Sequence, residues 1–414
     1  MTRSYRQLFT IPGARLLSVT AFVARFPIAM LGLGIILLTA ASGSYQQAGT
    51  TAAAVMLGYA VAAPAAGRLT DRYGHARILL GSAALHGVAL ATLIALATAR
   101  APLGLMLPAA GVAGASRPPA GTLVRSRWVT LLGDTRRNPR GVKLATALSY
   151  EAVLDEVIFI AGPVVVTGLA AVVHPAAGLV CCLLMTCGGA TALALQRETD
   201  PGPQGGPTAT EASPATRTAL GSPGVVVITV VAVFLGVIIG AFDVIVVARA
   251  QTLGSAYLAG PALACLGIAS LISGLWYGAR TWRARPEALW IRCLAAQFVG
   301  ALTLLLANRP WSLVLSVFIA GLAIAPLGIS GVLLLERNLP GAQLNEGMSI
   351  ESTAMALGIA GGGWLTGTLV DAAGSYYVLG LPAAAALVAL VTAVTCARWI
   401  RTPVPDTHRV EEHA

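Results

Sequence analysis

Glu151, Asp155 and Glu156 stand within a run, 144–173, that carries no other charge. Two arginines occupy similarly apolar settings, Arg25 in FVARFP and Arg117 in ASRPPAG. On a helix, Glu151 and Asp155 are four apart and share one face, while Glu156 points about 100° away from Asp155. Two chemistries suit acids and guanidinium groups so placed. Opposite charges can neutralise one another and fix how helices pack. Alternatively, a carboxylate can trade its arginine partner for a proton, loading it in one conformation and releasing it in another. Asp155 is the first candidate for such a proton carrier, followed by Glu151 and Glu156. Arg25, Arg117 and Asp243 (in IGAFDVIV) are the candidates for lining a polar cavity.

Other chemistries lack their residues. There is no Gly-x-Ser-x-Gly and no His-Glu-x-x-His, so neither a nucleophile elbow nor a zinc-protease helix is present. The only lysine, Lys143, does not lie in a nucleotide-binding loop, so this chain supplies no ATP site of that kind. The six cysteines (Cys181, Cys182, Cys187, Cys265, Cys293, Cys396) fall in or at the ends of apolar blocks without metal-ligand spacing, and read as small buried hydrophobes. His86 is the only histidine inside a block, and packing is its expected role. No metal or cofactor is assigned, and the chain is not expected to be an enzyme.

The elements that must position the charged residues follow from composition. Of 414 residues, 56% are hydrophobic and 11% charged, against roughly a quarter charged in ordinary soluble domains. The apolar residues come in blocks, and ~20 of them wound as a helix match the hydrocarbon core of a bilayer. Alternating ~10-residue segments of a membrane barrel are missing. Twelve spans are expected, near 15–40, 48–68, 78–98, 102–123, 143–170 and 175–195, then 223–247, 255–277, 287–307, 310–335, 344–368 and 375–398. The basic start (Arg3, Arg6, Arg15) precedes a block too long for a cleaved signal, which is read as a retained helix. Span five starts near Lys143, so Asp155 lies ~18 Å along it, near the bilayer centre. A charge there is costly unless paired or wet. The expectation is a buried network joining Arg117, and also Arg25, to the acids of span five.

Basic residues orient the spans. With an even number of spans, the inner loops would hold Arg68, Arg72, Arg77, Arg125, Arg127, Arg136, Arg137, Arg140, Lys143, Arg280, Arg283 and Arg285, and the outer ones only Arg100, Arg249 and Arg309. Both termini are therefore expected in the cytoplasm. The net charge of +10 is this topological bias spread over short loops, and no nucleic-acid partner is expected. Pro27, Pro118, Pro119 and Pro163 are expected to kink their spans.

Residues 196–222, rich in Pro, Gly, Thr and Ala, read as a flexible linker between an N-terminal bundle (1–195) and a C-terminal bundle (223–398), with a tail at 399–414. The fifth spans of the two halves echo each other. Ser149-Tyr150-Glu151 faces Ser349-Ile350-Glu351, and IAGPVVVTG (160–168) faces IAGGGWLTG (359–367), which suggests a parallel repeat. For Glu346 and Glu351 packing is the expected role. Gly358, Gly362, Gly363 and Gly367 give small-x-x-x-small spacings and are expected at a contact between the halves.

GRLTDRYGHAR (67–77), between spans two and three, resembles the loop signature of the major facilitator superfamily, Gly-x-Leu-x-Asp-Arg-x-Gly-Arg-Arg/Lys. Gly67, Leu69, Asp71, Arg72 and Gly74 match; His75 replaces the first basic residue, and Arg77 lies one place beyond the second. GLWYGARTWRAR (274–285) is similar to a degenerate copy without the acid. The resemblance covers the whole chain, and it implies an all-α membrane protein of two pseudo-symmetric six-helix bundles working by alternating access. It implies further that the first and fourth spans of each half line a cavity, that the second and fifth form the contact between halves, and that the protein is a monomer. Arg117 and Gly121 resemble the Arg-x-x-x-Gly core of a pattern of proton-coupled antiporters, with Ala120 in place of glutamine. Gly162-Pro163 resembles the centre of the pattern Gly-x-x-x-Gly-Pro-x-x-Gly-Gly, from which Ile158, Val166 and Thr167 depart.

One lysine against 26 arginines, with abundant Ala and Gly, is associated with high-GC bacteria. The expected function is proton-coupled efflux of a small organic molecule, a drug or secondary metabolite, across a bacterial plasma membrane. Import or facilitated passage of a small polar nutrient is the alternative.

Overall fold

The computed structural model describes residues 7–41, 44–133, 142, 144–200, 219–280, 282–339 and 341–400. Helices account for all regular structure among them. Twelve spans run in chain order. Span one is two helices, Ala14–Arg25 and Ile28–Ala40, and span two is Tyr45–Tyr73. Span three is His75–Thr98; span four is again two helices, Leu103–Ala115 and Ala120–Gly133. Spans five and six are Leu144–Val172 and Ala177–Leu195. Span seven is Pro223–Thr252, eight Ala259–Gly278 and nine Pro286–Leu302. Span ten is Pro310–Gly321 with Ile324–Asn338, eleven is Gly341–Ala373, and twelve is Leu381–Thr395. Ten candidate spans are long and apolar enough to cross a membrane by themselves; span two and the broken span four complete the set. Apolar side chains such as Val61, Val172 and Leu184 are largely exposed, as a surface solvated by lipid tails requires.

Local chemistry sets the ends and breaks. Pro223, Pro286 and Pro310 open their spans, where a missing N–H costs nothing. Ser44 caps span two by accepting from the Gln47 N–H at 3.1 Å. Span one breaks at Phe26-Pro27 and span four at 116–119, because prolines 27, 118 and 119 lack the donor that would continue the helix. Span ten breaks at Leu322-Ala323, where Pro326 four residues on lacks the N–H that would donate to the Leu322 carbonyl. Pro163, by contrast, lies inside an unbroken span five.

The chain clusters into two compact units, Met1–Ala209 with Gly254–Ala264, and Thr210–Leu253 with Cys265–Ala414. The first has a core of Leu8, Leu17, Leu79, Val124, Trp128 and Leu193. The second is built round Val225, Trp290, Leu294, Leu327, Leu334 and Ala389. Lipid gives helices little hydrophobic reason to associate, so close approach over small residues carries the packing. In the first unit, a Cβ on Gly114 would lie 1.9 Å from the Val55 carbonyl oxygen, and one on Gly162 would lie 2.7 Å from the Ala29 Cβ.

The glycines of span eleven require a correction. A Cβ on Gly358 would lie 2.0 Å from the Val233 oxygen, and one on Gly362 would lie 2.4 Å from the Val237 oxygen. Gly363 faces Gly240, and Gly367 is buried farther along. Spacing predicts a contact between halves, but Gly358, Gly362 and Gly363 bring span eleven against span seven of their own unit. A small-x-x-x-small stripe specifies that a backbone approaches, not whose.

The stretch 67–77 is mostly helix rather than loop. Span two continues through Tyr73, and only Gly74, at φ 86°, separates it from span three. That left-handed conformation is cheap for glycine alone. The Gly74 N–H closes the helix on the Thr70 oxygen at 2.9 Å. A Cβ on Gly67 would meet nothing within 4 Å among the described residues. Leu69, Arg72 and Arg77 are exposed, and the Arg72 guanidinium lies 5.3 Å from the Tyr73 ring. The side chains of Arg68, Asp71 and Glu346 lie outside the described residues, as do Arg136, Arg137, Arg140, Lys143, linker residues 201–218 and the tail from 401.

Candidate site: a buried ion-pair cluster on spans one, four and five

Arg25 is the last residue of the first helix of span one, immediately before the proline break. Its Nε donates to the Ala21 carbonyl at 3.2 Å, which leaves both terminal nitrogens to reach sideways. One donates to a Glu151 carboxylate oxygen and the other to Asp155 Oδ1 at 2.8 Å. The two acids share a face of span five one turn apart, as four-residue spacing dictates, so one guanidinium serves both. Span four completes the cluster. Trp128 Nε1 donates to the second Glu151 oxygen at 2.6 Å, and Arg125 approaches Asp155 Oδ2 at 3.5 Å.

Exposure divides the two carboxylates. The side chains of Arg25 and Glu151 are 2% and 1% exposed, and Trp128 is fully buried. Glu151 is thus held on both oxygens with no access to solvent. The Asp155 side chain is 31% exposed, and its second partner, Arg125, is 60% exposed. Asp155 therefore sits at the rim, between a buried guanidinium and an exposed one. The four charges cancel in pairs, which offsets the cost of bringing them into an apolar bundle.

The remaining sequence candidates take other places. Arg117, at the break in span four, lies with its guanidinium 3.6 Å from the Tyr59 ring centroid. It makes no ion pair among the described residues, so the network expected round Arg117 forms round Arg25 instead. A cation over an aromatic face is stabilised without a counter-ion. Its neighbour His86 is buried, with Nδ1 2.7 Å from the Ala113 carbonyl oxygen; that oxygen can only accept, so Nδ1 carries hydrogen. Gly121 lies beside the Arg25 stem, a Cβ there being 3.8 Å from Arg25 Cδ. Glu156 is half-buried on the flank of span five, with no hydrogen bond or ion pair among the described residues. Asp243, half-buried in span seven, belongs to the second unit and likewise has no such partner there.

Two members of the cluster, Arg125 and Trp128, and the buried Arg127 beside them lie beyond the expected end of span four at 123, because the helix runs to Gly133. Arg125 and Arg127 are on that span, not in an inner loop. A hydropathy window sees only their charge; the structure supplies their partners. Arg127 is fully buried, and its NH1 donates to the carbonyls of Leu193 and Gln196 and to Thr199 Oγ1 at 2.8, 3.2 and 3.2 Å. It thereby closes the end of span six and ties down the short turn Arg197–Thr199 at the start of the expected linker. The available signal was RSRW (125–128), whose spacing puts Arg125 and Trp128 on one helical face. All six cysteines are free thiols.

The profile described as the Major Facilitator Superfamily matches residues 17–308. No curated protein matches the chain. Among solved structures, the POT family transporter PepTSo is similar over 95% of this chain and 98% of its own, at 10% identity and a TM-score of 0.72. The nucleoside transporter NupG (D323A mutant) is similar over 92% and 99%, at 16% identity and a TM-score of 0.69. A D-xylose-proton symporter is similar over 95% and 98%, at 14% identity and a TM-score of 0.67. At such identities these likenesses establish the fold alone.

Proposed function

Because this chain belongs to the major facilitator superfamily and is a multi-pass membrane transporter rather than an enzyme, we propose that it is a proton-coupled exporter of a small organic molecule. It acts as a monomer by alternating access in a bacterial plasma membrane, with both termini in the cytoplasm. Asp155 is the residue that exchanges a proton for its arginine partners.

One observation carries the assignment within the cluster. Glu151 is locked by Arg25 and Trp128, whereas Asp155 is partly exposed and shared between buried Arg25 and exposed Arg125. When Asp155 takes a proton, Arg25 keeps Glu151 as its counter-ion, so the buried charge stays balanced. Arg125, 60% exposed and 3.5 Å from Asp155, is the more weakly held of the two arginines and is released at less cost. When Asp155 loses the proton, both arginines are again within reach. Intramembrane acids with such alternatives are suited to proton coupling. Support for outward transport is the resemblance at Arg117-x-x-x-Gly121 and Gly162-Pro163 to antiporter patterns.

Two measurements test the proposal. The first is expression in a drug-sensitised bacterial strain, challenged with a compound panel with and without a proton uncoupler. Uncoupler-sensitive resistance supports export, whereas growth conferred on a single nutrient overturns it in favour of import. Once a substrate is in hand, Asp155→Asn in proteoliposomes should abolish transport driven by a pH gradient while leaving substrate exchange. Unchanged pH-driven transport removes Asp155 from the role.

A further inference from the structure

Glu351 repeats Glu151: Ser349-Ile350-Glu351 stands in span eleven where Ser149-Tyr150-Glu151 stands in span five. In the first unit, span one supplies Arg25 to that glutamate and span four supplies Trp128. The second unit supplies neither. There Glu351 lines a cavity of about 160 Å³, which is walled by Ile228 and Ala232 of span seven, Trp290 and Gln297 of span nine, and Gly328 of span ten. No residue of the lining is basic. Glu351 has no hydrogen bond or ion pair among the described residues. Gln297 is 1% exposed, and its amide nitrogen and oxygen are both buried without a partner. A Cβ on Gly328 would meet nothing within 4 Å, so the space is open on that side.

A carboxylate and an unsatisfied amide in one apolar cavity are costly unless something completes them. We infer that this cavity binds an organic cation carrying N–H donors on a small apolar body, that is, an alkyl- or arylammonium ion. The ligand supplies the positive charge that Arg25 supplies in the other unit. Its ammonium donates to the Glu351 carboxylate and the Gln297 amide oxygen, and its body lies against Trp290. A cavity of roughly 150 Å³ lined by apolar residues accepts a molecule the size of benzene, which sets the scale of the bound group. Such a cation is a substrate class for the proposed exporter, and in that respect the inference rests on the transporter reading.

The test is equilibrium binding to the full-length protein in lipid nanodiscs. The probes are benzylammonium and benzyl alcohol, nearly equal in shape and differing in charge. Because binding is measured without transport, intact cation binding in a chain that moves nothing sinks only the exporter proposal. Benzylammonium is expected to bind roughly tenfold or more tighter than benzyl alcohol, as a charge-assisted hydrogen bond to a half-buried carboxylate allows. Glu351→Gln should erase that preference. Gln297→Leu should weaken binding of the cation several-fold, and Gly328→Leu should block both probes by filling the cavity. Wild-type protein that binds both probes equally, because Glu351 holds only a proton, overturns the inference. So does a folded Glu351→Gln protein that keeps the preference. Unimpaired binding to Gly328→Leu overturns the location and with it the proposal.

Discussion

Replacing Arg25 with methionine keeps most of the side-chain length and removes the charge. Glu151 would then remain a carboxylate at 1% exposure, with only the Trp128 N–H as donor. Removing one partner of a buried pair typically costs about 3–5 kcal/mol, because the other charge is left uncompensated. Asp155, at 31% exposure and still within 3.5 Å of Arg125, should account for no more than about 1 kcal/mol of that, the range for solvent-accessible pairs. The loss therefore belongs to Glu151, and a second substitution should recover it. Arg25→Met with Glu151→Gln removes both charges and should regain at least about 2 kcal/mol, whereas Arg25→Met with Asp155→Asn should regain under about 1 kcal/mol. The assay is reversible unfolding in mixed micelles under SDS titration, followed by tryptophan fluorescence. At about 1.4 kcal/mol per tenfold, Arg25→Met should change the unfolding equilibrium by about two to three and a half orders of magnitude. Arg25→Met within about 0.5 kcal/mol of wild type, or a Glu151→Gln partner that rescues no better than Asp155→Asn, would refute this division of the cluster.

Trp128→Phe removes the N–H held by Glu151 and should cost about 1–3 kcal/mol in the same assay. That cost should shrink in the Arg25→Met, Glu151→Gln background. Gly358→Ala forces a methyl group against the Val233 oxygen and should destabilise by at least about 1–3 kcal/mol, whereas Gly328→Ala, facing open space, should be neutral or slightly stabilising. Gly74→Ala places a side chain at φ 86°, ψ 158°, a region essentially reserved for glycine, and should cost about 1–3 kcal/mol, read as a lower thermal midpoint of the purified protein. Arg127→Met frees the carbonyls of Leu193 and Gln196 and the Thr199 hydroxyl. Limited proteolysis should then cut near Thr199-Asp200 faster than in wild type, since that turn loses its anchor.

The class of fold was legible in the sequence because bilayer solvation is a local property. A run of some twenty apolar residues declares itself wherever it lies, and so do the prolines at which spans one and four break. The one-residue hinge at Gly74 was signalled by its motif. Partners were less legible. Arg25 and Arg117 look alike in sequence, each a single cation in an apolar block, yet one closes on two carboxylates and the other lies on Tyr59. Arg125 and Arg127 resembled loop residues because hydropathy counts a charge and not the acceptors that meet it.

By itself the sequence determined that twelve helices solvated by lipid would form, and that Arg25, Arg117 and the acids of span five would lie inside them. The tertiary structure alone decided which ions meet, which of the glutamates at 151 and 351 is satisfied, and whose backbone the span-eleven glycines approach. The physical reason is that apolarity acts through the length of one helix, whereas pairing depends on the rotation and neighbours of several.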